Sequence, residues 1–112
     1  EGRLEEAERS LRRALAADRD FPDVWNALGR VQEDTGRAQE ALECYETAVA
    51  LDPEFADAHN NLGVLLAKMG RYEESEARLE AGLRVAPDDR RLRTNLDMVR
   101  EIDRQSGGME EG

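Results

Sequence analysis

Apolar residues recur along this chain at helical spacing. Leu4, Ala7, Leu11, Ala14 and Leu15 form one stripe at intervals of three and four, the mark of a helix with a single apolar side. Further on, the pattern predicts a helix from about Pro22 to Thr35 and a second from Ala38 to Leu51. Pro22 suits a first helical position, where its missing N–H would have no intrahelical partner. Gly36 and Gly70 lie just past predicted helix ends, where glycine adopts a left-handed backbone most cheaply. Pro53 and Pro87 follow the second helices and stop them.

The pattern repeats. A shift of 34 residues aligns Leu28, Leu62 and Leu96, and also Gly29 with Gly63 and Gly36 with Gly70. It further aligns Ala41 with Ser75, Tyr45 with Leu79, Ala48 with Gly82, and Pro53 with Pro87. Going backward, Gly2, Ala7, Leu11 and Ala14 occupy the matching places. A glycine inside a helix costs ~1 kcal/mol against alanine, so Gly29 and Gly63 imply a steric reason. The expectation is two helices per unit in close approach, with Gly29 and Ala41, then Gly63 and Ser75, supplying room for large neighbours.

The block Trp25, Asn26, Ala27, Leu28, Gly29, followed by Ala41, Tyr45, Ala48 and Pro53, resembles the tetratricopeptide repeat. The pattern returns from residue 56 to 89 with His59, Leu62, Gly63, Leu66, Ser75, Leu79, Gly82 and Pro87. Gln32 stands where the family usually has a bulky residue, and His59 where it has Trp. The resemblance implies an all-α helical-repeat solenoid. Residues 1–20 would be a partial repeat (a second helix whose first helix lies upstream), 22–55 and 56–89 full repeats, and 90–105 a capping helix. Arg93, Asp97 and Arg100 replace the bulky, glycine and bulky positions of that last helix, as suits a polar outer face at the end of an array. Ser106 to Gly112 reads as a flexible tail.

Composition agrees with helix: 38% of residues are charged, 4% aromatic, and Ala, Leu, Glu and Arg dominate. The net charge of −10 is concentrated in residues 22–81, which hold 13 acids and 5 bases. An acidic middle disfavours nucleic acid and anionic membrane as partners, and mildly favours basic ones. It also simply keeps a protein soluble. No apolar stretch approaches the ~20 residues a membrane span needs. The compartment is not specified by the sequence, with a cytoplasmic setting favoured.

Little here suggests chemistry. Cys44 and His59 are the only residues of their kinds, fall in different helices, and read as packing residues rather than a metal site. The adjacent pairs Glu33-Asp34 and Glu73-Glu74 point in different directions on a helix. No phosphate-binding glycine loop or nucleophile–base arrangement occurs. The expectation is a non-enzyme without cofactor or metal.

The resemblance implies that first helices line a concave groove. The candidates transferred to this chain are Asn26, Arg30, Asn60, Asn61, Lys68, Arg91 and Asn95, with Thr94 and Met98 beside them. Asn26 and Asn60 are 34 residues apart, as are Asn61 and Asn95. This is similar to the asparagine ladder of protein O-linked N-acetylglucosamine transferases, whose amides can bind an extended main chain. Asparagine at these places is also ordinary family background. The family's two-carboxylate clamp is matched only at Asn61 and Arg91. Arg30, Lys68 and Arg91 would add charge selection. A scaffold binding a peptide or partner protein is the leading expectation; a self-assembly element using the uncovered N-terminal helix, or a recruiting arm of a larger enzyme, are the alternatives.

Overall fold

The computed structural model describes residues 2–111, with side chains through residue 107. Six helices lie among them, and no strand: α1 (Gly2–Ala17), α2 (Pro22–Asp34), α3 (Ala38–Leu51), α4 (Ala56–Lys68), α5 (Tyr72–Val85) and α6 (Arg90–Glu111). The chain divides into two compact units, residues 1–58 and 59–112, so α4 begins in the first and continues into the second.

In the first unit α2 packs against both α1 and α3. Pro22 is the first residue of α2. The α2–α3 turn closes through Gly36 at φ +78°, with Arg37 N donating to Gln32 O at 2.8 Å and Gly36 N to Glu33 O at 3.1 Å. These bonds satisfy carbonyls that the ending helix leaves without partners. A Cβ at Gly29 would lie 2.6 Å from the Tyr45 ring. Glycine therefore allows the ring to lie flat against α2, and its hydroxyl donates to Glu33 Oε1 at 2.8 Å. Glu33 has a packing partner rather than only a solvated face. A second cluster joins Leu15, Leu28 and Cys44, with Leu11, Val24 and Trp25 at its edge. Trp25 Nε1 donates to Arg19 O at 2.7 Å, which holds the α1–α2 connection. Arg37 pairs with Glu8 and so ties α1 to the α2–α3 turn.

The second unit repeats the turn, with Gly70 at φ +79° and Arg71 N donating to Leu66 O at 2.9 Å. A Cβ at Gly63 would meet Leu79 Cγ at 2.6 Å, and Ser75 Oγ donates to Gly63 O at 2.6 Å. Gly82 does the same service for α6, where a Cβ would lie 2.8 Å from Leu92 Cδ2. Leu92, Leu96 and Val99 are the buried side of α6. Arg93, Asp97 and Arg100 are exposed, and Arg100 reaches back to Glu80 at 2.7 Å.

The tail read from Ser106 onward is helical through Glu111, and Gly112 lies outside the described residues. No proline interrupts the run after Arg90. A helix already nucleated on Leu92, Leu96 and Val99 adds residues without repeating its nucleation cost, and Gly107 does not by itself end it.

Candidate functional site

The seven candidate residues all lie on α2, α4 and α6, and only some of them come together. In the second unit Asn95 Nδ2 donates to Asn60 Oδ1 at 2.8 Å. These positions are 35 residues apart, so the bonded pair is not one of the 34-residue rungs the sequence suggests. The reason is reach: two short amides on neighbouring helices meet where the helix faces converge, which need not be the equivalent position. A hollow of about 450 Å³ opens beside the pair, lined by Asn60, Arg90, Arg91, Thr94 and Asn95. An amide carries two N–H donors and a two-lone-pair acceptor, so one mutual bond leaves each asparagine capacity for more.

The cationic side of this hollow has an internal carboxylate. Asp89 Oδ1 accepts from the backbone N–H of Arg91 at 2.9 Å and of Leu92 at 3.4 Å, and so caps the start of α6. Its Oδ2 pairs with Arg91 Nη2 at 3.0 Å. The Arg91 guanidinium, joined by these backbone donors, holds the Asp89 carboxyl below its usual range. An incoming carboxylate would therefore compete with Asp89 for Arg91. Arg90, which the sequence reading did not select, is exposed on the same hollow. Its position just after a capping aspartate was the available signal. Asn61 is half-buried and Lys68 is exposed at the end of α4, and neither lines the hollow.

In the first unit Asn26 is only 8% exposed. At that depth the Asn26 amide is part of the packing of α2. Its spacing alone could not reveal this, since burial depends on what packs against α2. Arg30 is exposed, beside a different hollow of about 450 Å³ lined by Ala7, Ser10, Leu11, Ala27, Val31 and Asp34.

Buried polar groups elsewhere act in packing. The Cys44 thiol donates to Gln32 Oε1 at 3.1 Å, and burial pushes it up to about 11, away from thiolate reactivity. Gln32, 3% exposed, thus fills a bulky position with a polar pair. Burial and the Glu33 carboxylate both hold the Tyr45 phenol above its ordinary range. Among the described residues no group of three or more His, Cys, Asp or Glu could hold a metal, and no helix is long and apolar enough to cross a membrane.

Three models of the tetratricopeptide repeat match the chain, over residues 1–47, 34–70 and 56–89. No curated protein matches it. Among solved structures, two of MamA are similar, with TM-scores of 0.81 and 0.84, each 22% identical over 88% and 89% of the chain. The chain spans only 54% and 58% of those proteins. The first tetratricopeptide domain of Spaghetti (RPAP3), solved with an HSP90 peptide bound, superposes with a TM-score of 0.85 at 19% identity. That match covers 90% of this chain and 80% of the other. The O-GlcNAc transferase of Thermobaculum terrenum is 30% identical over 86% of the chain at a TM-score of 0.80, but only 18% of its length is matched.

Proposed function

This chain belongs to the tetratricopeptide-repeat family, and on that premise we propose that it is a protein-interaction scaffold that holds an extended polypeptide on the α4–α6 face. The carrying observation is the Asn60–Asn95 amide pair beside the hollow lined by Arg90, Arg91 and Thr94. The amides bond main-chain N–H and C=O groups whatever the sequence of the bound segment. Arg90 and Arg91 select for carboxylate, with Asp89 competing internally. Asn61 and Lys68 extend the face along α4, and Arg30 offers a separate cationic point on α2. The structure of Spaghetti with a peptide bound supports a peptide as the kind of partner. No catalytic step is assigned to the chain.

The test is affinity for extended peptides selected from a random array. Asn60→Ala/Asn95→Ala is expected to weaken binding about tenfold, equivalent to ~1.4 kcal/mol, across unrelated peptide sequences. Arg90→Ala is expected to weaken acidic peptides selectively. Unchanged affinity in the double variant would remove this face as the site.

A second reading, a recruiting arm of a larger enzyme, draws on the 30% identity to the transferase. It requires a catalytic domain in the same polypeptide, and an open reading frame without one overturns it.

A further inference from the structure

Two large apolar side chains stand in the open on α6, Met98 at 56% and Ile102 at 41% exposure. They are one helical turn apart. At about 3.6 residues per turn, Asn95, Met98 and Ile102 all fall within about 40° of Arg91 around the α6 axis. The buried residues Leu92, Leu96 and Val99 lie roughly 80–140° away from it. One open stripe of α6 therefore carries a guanidinium, an amide, a thioether and a branched aliphatic group, each a turn from the last. Its first half borders the hollow beside Asn60. Its second half is apolar, yet adds nothing to the core that Leu92, Leu96 and Val99 form.

We propose that Met98 and Ile102 form an apolar subsite, and that with Arg91 and Asn95 it selects extended segments carrying a carboxylate and a large aliphatic side chain four residues apart. This rests on the reading of the α4–α6 face as a polypeptide-binding surface. The spacing follows from comparing two rises. From Arg91 to the midpoint of Met98 and Ile102 the helix advances about 13 Å. Four residues of extended chain also cover about 13 Å. Side chains alternate across extended backbone, so the residues two and four places along face the same way as the first. The residue two places along then lies over Asn95, about 6 Å from Arg91 along the axis, where main chain meets amide.

Charge sets which end takes the carboxylate. Arg90 and Arg91 stand at the start of α6, where the helix N-terminus also favours an anion. Toward the other end Glu101 follows Met98 by one turn, held by Arg104 and by Gln105 Nε2 at 3.0 Å. A carboxylate arriving there would meet a like charge, whereas an aliphatic side chain takes apolar surface of both partners out of water. Asp89 already pairs with Arg91 at 3.0 Å. The incoming carboxylate therefore gains little beyond orientation, and the aliphatic contact carries the discrimination.

Synthetic peptides of alanine and threonine, each with one glutamate and one leucine in either order, test this on the 112-residue chain. Affinity is read by calorimetry, and contact with the face by the side-chain amide NMR signals of Asn60 and Asn95. Leucine four places from glutamate is expected to bind about tenfold tighter than leucine three places away, which turns that side chain to the far side. Met98→Ser/Ile102→Ser is expected to erase the difference with an unchanged melting curve, since both residues are exposed. Peptides that move both amides yet bind alike at either spacing overturn the apolar subsite and leave the amide face standing. So does a difference that survives Met98→Ser/Ile102→Ser. If no peptide in the set moves either amide, the amide face itself fails and the subsite falls with it.

Discussion

The α2–α3 and α4–α5 pairs share one 34-residue template and close it with different chemistry. Both place a glycine under a large side chain, with a Cβ excluded at 2.6 Å in each case. In α2–α3 the large residue is Tyr45, whose hydroxyl is satisfied by Glu33. In α4–α5 it is Leu79, and the polar bond moves to Ser75, which donates to the Gly63 carbonyl. Leu66 fills a place that Gln32 fills with help from Cys44. The template therefore demands a small residue against a large one. It tolerates polarity wherever each buried group finds a partner.

Removing the large partner should do the most damage. Tyr45→Ala is expected to cost about 3–5 kcal/mol and Leu79→Ala about 2–5 kcal/mol, read from denaturant unfolding. If either variant melts like the parent, that contact is not part of the core.

Crowding the small partner comes next. Gly29→Ala and Gly63→Leu are each expected to destabilise by about 1–3 kcal/mol or more. The comparison sharpens with Gly63→Ala, which should be milder than Gly29→Ala because a leucine can change rotamer and a tyrosine ring cannot shrink. Equal losses would show that backbone separation, not the ring, absorbs the added carbon.

The polar substitutions are smaller. Tyr45→Phe should cost about 0.5–1.5 kcal/mol, as should Ser75→Ala. Ser75→Ala imports the residue that Ala41 already is, so a loss there measures the bond that α2–α3 lacks.

The smallest effect is titration. The Arg37 hydrogen bond, offset in part by burial, lowers Glu8 from 4.5 to about 2. A depressed carboxyl contributes stability above its unfolded value, so this contribution should be lost as pH falls from about 4.5 toward 2. Glu8→Gln should flatten that part of the stability–pH curve while leaving the α4–α5 pair unaffected.

What the sequence disclosed, and what it concealed, follows the same physics. Gly36, Gly70, Pro22 and the glycine approaches were legible because each is forced by backbone geometry or by a steric limit. The polar pair of Gln32 and Cys44 was not, because it depends on two side chains 12 residues apart choosing each other. Asn26 and Asn60 are equivalent in register, yet one is buried and the other lines an open hollow. Periodicity assigns a residue to a helix face; how far that face is covered depends on the neighbouring helix. The Asn60–Asn95 bond, one residue off the repeat, lies beyond periodicity for that reason.

The most direct measurement follows the side-chain amide NMR signals of Asn60 and Asn95 while array-selected peptides are titrated into the chain. The account predicts that both shift together and saturate, and that Asn60→Ala weakens the response at Asn95. Saturable shifts confined to α3 and α5, with both amides unmoved, would contradict it.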